Sequence, residues 1–162
     1  MILPRKVRVS IGSAIVLGLT EGRLDAKPTT VYLLTYRKEK CQASCAFCPQ
    51  SRLAQGRADM LSRIVWPVFP TETTVRRIKE AFQQKKIVRV CIQALNNPSV
   101  VCDIMALAKQ IRESSEIPIS VSCQPLSRED IEKLADAGVQ RISIPLDAVT
   151  ERIFNKVKGA EI

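Results

Sequence analysis

The period of the apolar positions changes along the chain, and the changes mark out the elements. Ser10 to Leu19 has the spacing of a short helix, and leads through Gly22 and Pro28 into the run Val31-Tyr-Leu-Leu-Thr-Tyr36. That run is apolar on both faces, as a parallel strand buried between layers requires. Residues 1–28 therefore read as an N-terminal extension, and residues 29–162 as one α/β unit. From Arg37 to about Pro70 no period persists, a stretch far longer than an ordinary connection, and such long loops tend to carry function. Beyond Pro70 the alternation is regular. A helix is predicted over 71–85 with Val75, Ile78 and Phe82 on one stripe, a strand over 87–95, and a helix over 99–113 carrying Ile104, Leu107, Ala108 and Ile111. A strand over 117–123 follows. Ser127-Arg-Glu-Asp130 then forms a capping box for a helix with Ile131, Leu134 and Ala135 inward, stopped at Gly138. A last strand over 141–147 leads into a helical start at 150–157.

Strands separated by helices at about 30-residue spacing are βαβ units, which build a parallel sheet with right-handed crossovers. A complete (β/α)8 barrel takes about 250 residues, so the predicted class is α/β with an open sheet or a partial (β/α) barrel of about four parallel β/α units. The pattern stops inside a helix, after Lys158-Gly159, so the chain reads as cut short after the fourth strand.

Composition narrows the chemistry. With 162 residues, 46% of them hydrophobic and 25% charged, the chain can bury a core and does not resemble a disordered segment. It contains no histidine, which removes Ser-His-Asp and Cys-His nucleophile arrangements, two-His zinc sites and haem on a proximal histidine. The longest apolar run, Ala14 to Leu19, is interrupted by Gly18 and is too short to cross a bilayer. No signal peptide is recognisable, so a cytoplasmic setting with reduced thiols is expected, and no membrane.

Of the six cysteines, Cys41, Cys45 and Cys48 cluster within the long loop, and Cys91, Cys102 and Cys123 are dispersed. Cys41-Gln-Ala-Ser-Cys45-Ala-Phe-Cys48 is a C-x3-C-x2-C spacing placed directly after a buried strand. Thiolates are soft ligands suited to zinc or iron–sulfur clusters, and both ordinarily take four protein ligands. The local fourth is missing. Three thiolates on a four-iron cube leave one iron open; a zinc loop completed by Cys91, Cys102 or Cys123 is the alternative.

Cys41, Cys45, Phe47 and Cys48, on the loop after the first strand, resemble the signature of radical S-adenosylmethionine enzymes. Cys91-Ile-Gln-Ala-Leu-Asn-Asn-Pro98 and Ser122-Cys123-Gln-Pro-Leu-Ser127 further resemble segments of biotin synthase, and Leu146-Asp147 its fourth strand. Lipoyl synthases are relatives in chemistry. The resemblance implies a 4Fe-4S cluster held by Cys41, Cys45 and Cys48, with S-adenosylmethionine chelated to the open iron and cleaved by one electron to a 5′-deoxyadenosyl radical. It places the Phe47 backbone beside adenine, Gln93 near the methionine moiety and Asp147 on the ribose. It makes Cys91 and Cys123 ligands of an auxiliary iron–sulfur cluster that donates sulfur in biotin or lipoyl biosynthesis. Many relatives carry Gly-Gly-Glu where this chain has Gln93-Ala-Leu. The implied partners are an electron donor such as ferredoxin or flavodoxin and a small-molecule or acidic carrier-protein substrate.

Plainer readings stand beside these. Buried free cysteine is an ordinary small hydrophobe, which suits Cys91 and Cys123 as well, and Cys102 better; an aspartate after a strand also caps helices. The chain is a radical enzyme of the biotin/lipoyl synthase kind on this reading, with no catalytic side chain singled out. A non-catalytic iron–sulfur or zinc module is the rival. The net charge of +9 gathers at Arg5, Lys6 and Arg8, at Arg76, Arg77 and Lys79, and at Lys85, Lys86 and Arg89. A tRNA-modifying radical enzyme would use such charge, but no aromatic-interleaved basic platform accompanies it, so nucleic acid is the weaker expectation and a solvated basic face the stronger.

Overall fold

A computed structural model describes residues 4–159. The ends of both predicted segments, 1–3 and 160–162, lie outside the described residues. The elements run β1 (Lys6–Val9), α1 (Ile11–Val16), β2 (Thr30–Thr35), β3 (Met60–Leu61), β4 (Ile64–Val65), β5 (Val68–Pro70), α2 (Thr71–Gln83), β6 (Arg89–Gln93), α3 (Val100–Ser114), β7 (Ile119–Ser122), α4 (Arg128–Asp136), β8 (Val139–Ser143) and α5 (Glu151–Lys158). One six-stranded sheet has the order β5-β1-β2-β6-β7-β8. β2, β6, β7 and β8 are parallel to one another, and β1 runs antiparallel to both β2 and β5. This is the α/β class predicted, in the form of part of a β/α barrel.

Register explains the core. Val31, Val90 and Ile119 align across three strands, and Leu33, Ile92 and Val121 form the next apolar row. Onto these rows pack the stripes of the helices: Val75 and Ile78, then Ile104, Leu107 and Ile111, then Leu134, all in one buried cluster. Each such side chain contributes about 1.5–3 kcal/mol by leaving water. The opposite sheet face carries Tyr32, Cys91, Gln93, Ser120, Ser122 and Arg141.

Several elements differ from the expectation. β1 is a strand the sequence pattern does not predict: Lys6 and Arg8 alternate with buried Val7 and Val9, and four residues are too few to establish a period. The segment set apart by sequence thus contributes a strand to the main sheet. The loop 37–70 contains β3, β4 and β5, too short to leave a period. In α4, Ile131 is 39% exposed and Ala135 is also exposed, leaving Leu134 as the helix's buried residue. β8 starts earlier than predicted and ends at Ser143, its ladder irregular between Ile119 and Ser120. Pro145 lacks the N–H to continue it. Ser127 caps α4 as predicted, its Oγ accepting from the Asp130 N–H at 3.1 Å. Gly138 ends that helix region at φ +92°, in the left-handed region that glycine enters readily.

Candidate metal and cofactor site

The thiol loop leaves the C-terminal end of β2, where parallel sheets place their ligand sites. Its shape is set by main-chain bonds. The Cys41 N–H donates to the Gln50 carbonyl at 2.9 Å, Cys48 N–H to Cys45 at 3.1 Å, and Arg52 N–H to Ala43 at 3.0 Å. Buried Gln50 fastens the loop to the β3 side, donating from Nε2 to the Ala58 and Met60 carbonyls, both at 2.7 Å. The far end of β6 holds Cys41: the Asn96 N–H donates to Cys41 Sγ at 3.2 Å, and the Gln42 N–H to the Asn96 carbonyl at 2.8 Å. Buried Leu34, Trp66 and Leu95 form a small apolar cluster, and Cys41 packs against it.

Cys41, Cys45 and Cys48 line one cavity of about 210 Å³, together with Phe47, Gln93, Cys123 and Asp147. The structure thus brings together nearly every residue singled out by sequence. Cys91 is the exception. It does not line the cavity, and its register partner is Ser120, one row below Gln93 and Ser122. Its sulfur receives the Gln93 Nε2 donor at 3.3 Å. Cys123 follows the end of β7 and reaches the cavity, so the two cysteines occupy different levels of the sheet. Cys102 is exposed on α3. Two roomier grooves, about 510 and 700 Å³, flank α2 without a cysteine in their walls; volume alone does not locate the chemistry.

Lys158 is the residue sequence reasoning missed. It ends α5, is only 2% exposed, lines the cavity, and pairs with Asp147. Its Nζ lies 5.9 Å from the Phe47 ring centroid, and Phe47 is 62% exposed. The Ala46 N–H donates to the Val157 carbonyl at 2.8 Å, so the last turn of α5 clasps the thiol loop. In the sequence, Lys158 looks like any lysine in a last helical turn, where the dipole favours it. Asp147 adopts φ +55°, a left-handed conformation that aspartate tolerates better than most residues.

Burial pushes the thiols of Cys45 and Cys48 up from their ordinary value. The neighbouring thiolates, Cys41 and Cys48 for Cys45 and Cys41 for Cys48, push the same way, whereas Lys158 pulls both down. Burial alone raises Cys123. Three thiols and no histidine around one cavity are a soft donor set, the kind that suits zinc or an iron–sulfur cluster.

No curated protein matches the sequence significantly. A model of the radical SAM superfamily matches residues 37–161, from the start of the thiol loop through α5. Because that match spans well over half of the sequence, and because the loop it opens on is the one that gathers the thiols, the chain belongs to the radical SAM superfamily.

Proposed function

We propose that this chain holds a 4Fe-4S cluster on Cys41, Cys45 and Cys48, binds S-adenosylmethionine beside it, and performs sulfur insertion of the biotin or lipoyl synthase kind. The observation that carries the cofactor assignment is the shared cavity: three thiols, a buried cation and a carboxylate at the C-terminal ends of parallel strands. When bound, the reduced cluster supplies the electron that cleaves the sulfonium C–S bond and yields a 5′-deoxyadenosyl radical. The protein's part is positional. Lys158 would offer a desolvated ammonium to the methionine carboxylate. Asp147, held by the same lysine, would accept from the ribose hydroxyls. The Phe47 main chain would flank adenine, and Gln93 would serve the amino group in place of the acidic segment common in relatives.

Sulfur insertion is supported by the likeness of the Cys91 and Cys123 segments to biotin synthase; with the two at different levels, an auxiliary cluster would need a further ligand to join Cys91. A cytoplasmic enzyme reduced by a ferredoxin or flavodoxin and acting on a small molecule or an acidic carrier protein completes the reading. Among the described residues no helix is long and apolar enough to span a membrane.

The test is 5′-deoxyadenosine formation by the anaerobically reconstituted protein with dithionite and S-adenosylmethionine. Wild type should form the nucleoside and Cys45→Ala should form none. Full iron loading with no nucleoside would instead mark a non-catalytic iron–sulfur module.

A further inference from the structure

We infer that the sheet face turned away from the aliphatic core seats an organic anion, and that Arg141 and Arg89 recognise its carboxylate or phosphate group. The strand register carries the inference. On the face opposite the helices, Tyr32, Cys91, Ser120 and Arg141 form one continuous row across β2, β6, β7 and β8. It lies one pleat repeat, about 7 Å, below the row of Leu34, Gln93 and Ser122 that lines the thiol cavity. Arg89 is on the same face of β6, one repeat lower again. Strand spacing puts the Cα atoms of Arg89 and Arg141 about 12 Å apart, a span that two guanidinium side chains can close around one anion.

Three further observations give the face its chemistry. Arg89 Nη1 is buried and has no hydrogen-bond partner, a costly state for a cationic donor unless an acceptor arrives. Arg141 is exposed on the edge strand, and no ion pair involves it among the described residues. Among the described strand positions on that face no acidic side chain occurs: Lys6, Arg8, Thr30, Tyr32, Leu34, Arg89, Cys91, Gln93, Ser120, Ser122, Arg141 and Ser143 are basic, neutral or apolar. Planar guanidinium forks match carboxylate and phosphate oxygens in pairs. An anion held there leaves several carbons of the same molecule to climb past Cys91 and Ser120 to the cavity. The bound molecule is therefore elongated, with its charged end remote from the cavity. That this molecule is the substrate rests on the radical reading above; that the face binds anions does not.

Binding is measured on the iron-free chain by titration calorimetry with octanoate, octyl phosphate and the neutral octanamide. At least one anion should bind about tenfold or more tightly than the amide, and the preferred anion identifies carboxylate or phosphate as the recognised group. Arg141→Gln should erase that advantage, and Arg141→Lys, which keeps the charge on an exposed edge, should retain part of it. Arg128→Gln, on the outer surface of α4, should change nothing and so controls for the general positive charge. Equal binding of all three probes, or an anion preference that survives Arg141→Gln, overturns the proposal. Because no iron is present, this outcome is independent of whether the loaded protein cleaves S-adenosylmethionine.

Discussion

Lys158 shows how far a side chain's meaning depends on what surrounds it. A solvated lysine at a helix end is worth a few tenths of a kcal/mol through the dipole. The same residue at 2% exposure, between Asp147 and Phe47, is a charge that must be compensated. Replacing it with an apolar residue of similar length removes the cation but keeps the volume. Lys158→Met should therefore leave iron uptake near wild type and weaken S-adenosylmethionine binding by about tenfold or more, read by equilibrium dialysis of the reconstituted protein. The thiols make a pH prediction. Cys45, Cys48 and Cys123 hold their protons more tightly folded than unfolded, chiefly because they are buried. Their contribution to stability is full below the ordinary thiol value and is lost as pH rises through the raised one. The melting temperature of the iron-free chain should thus fall between pH 8 and about pH 10, and fall less in Cys48→Ala; identical slopes would remove these thiols as the cause. At this scale the sequence was most legible. The spacing of Cys41, Cys45 and Cys48 in one short loop left little freedom for where their sulfurs could go. Lys158 was illegible, because its partner Asp147 is brought to it by the turn after β8, which local pattern does not encode.

At the scale of elements, the helices and parallel strands were readable because each buries one stripe or two faces against a common layer. α2 and α3 follow their predicted stripes closely, Ile78, Ile104, Leu107 and Ile111 being fully or almost fully buried. β1 and the pieces of the 37–70 loop were not readable: two- to four-residue strands carry too few positions to establish a period. The junction of α5 with the thiol loop matters most for function. Gly159 sits at φ +88°, and a Cβ there would lie 2.9 Å from Ser44 Cβ. That contact cannot be relieved by swinging a flexible tip, since Ser44 Cβ is rooted in the loop backbone between two ligands. Gly159→Ala should therefore reduce iron uptake severalfold, while the far-ultraviolet circular dichroism of the α/β body stays close to wild type. Unchanged iron content would show that α5 does not shape the loop.

For the whole molecule, the parallel sheet divides two environments. Helices seal one face with aliphatic rows, and the other presents polar and basic side chains that end, at the C-terminal edges of the strands, in the thiol cavity. The net charge of +9 was visible in the sequence, but its arrangement was not. Arg89, which reads as part of a basic cluster with Lys85 and Lys86, opens β6 on the face of Cys91 and Gln93, whereas the two lysines lie in the turn after α2. Cys91 and Cys123 illustrate the same limit: a likeness between segments suits both as ligands, yet only register shows that they stand at different heights.

The central claim, that three thiolates hold a cube whose fourth iron accepts S-adenosylmethionine, is tested most directly by electron paramagnetic resonance of the reconstituted, dithionite-reduced chain, recorded before and after addition of that cofactor. The account predicts the signal of one reduced 4Fe-4S cluster per chain whose shape changes when the cofactor binds, with no such signal in Cys45→Ala. A cluster signal that is indifferent to the cofactor, or one that persists without Cys45, would contradict it.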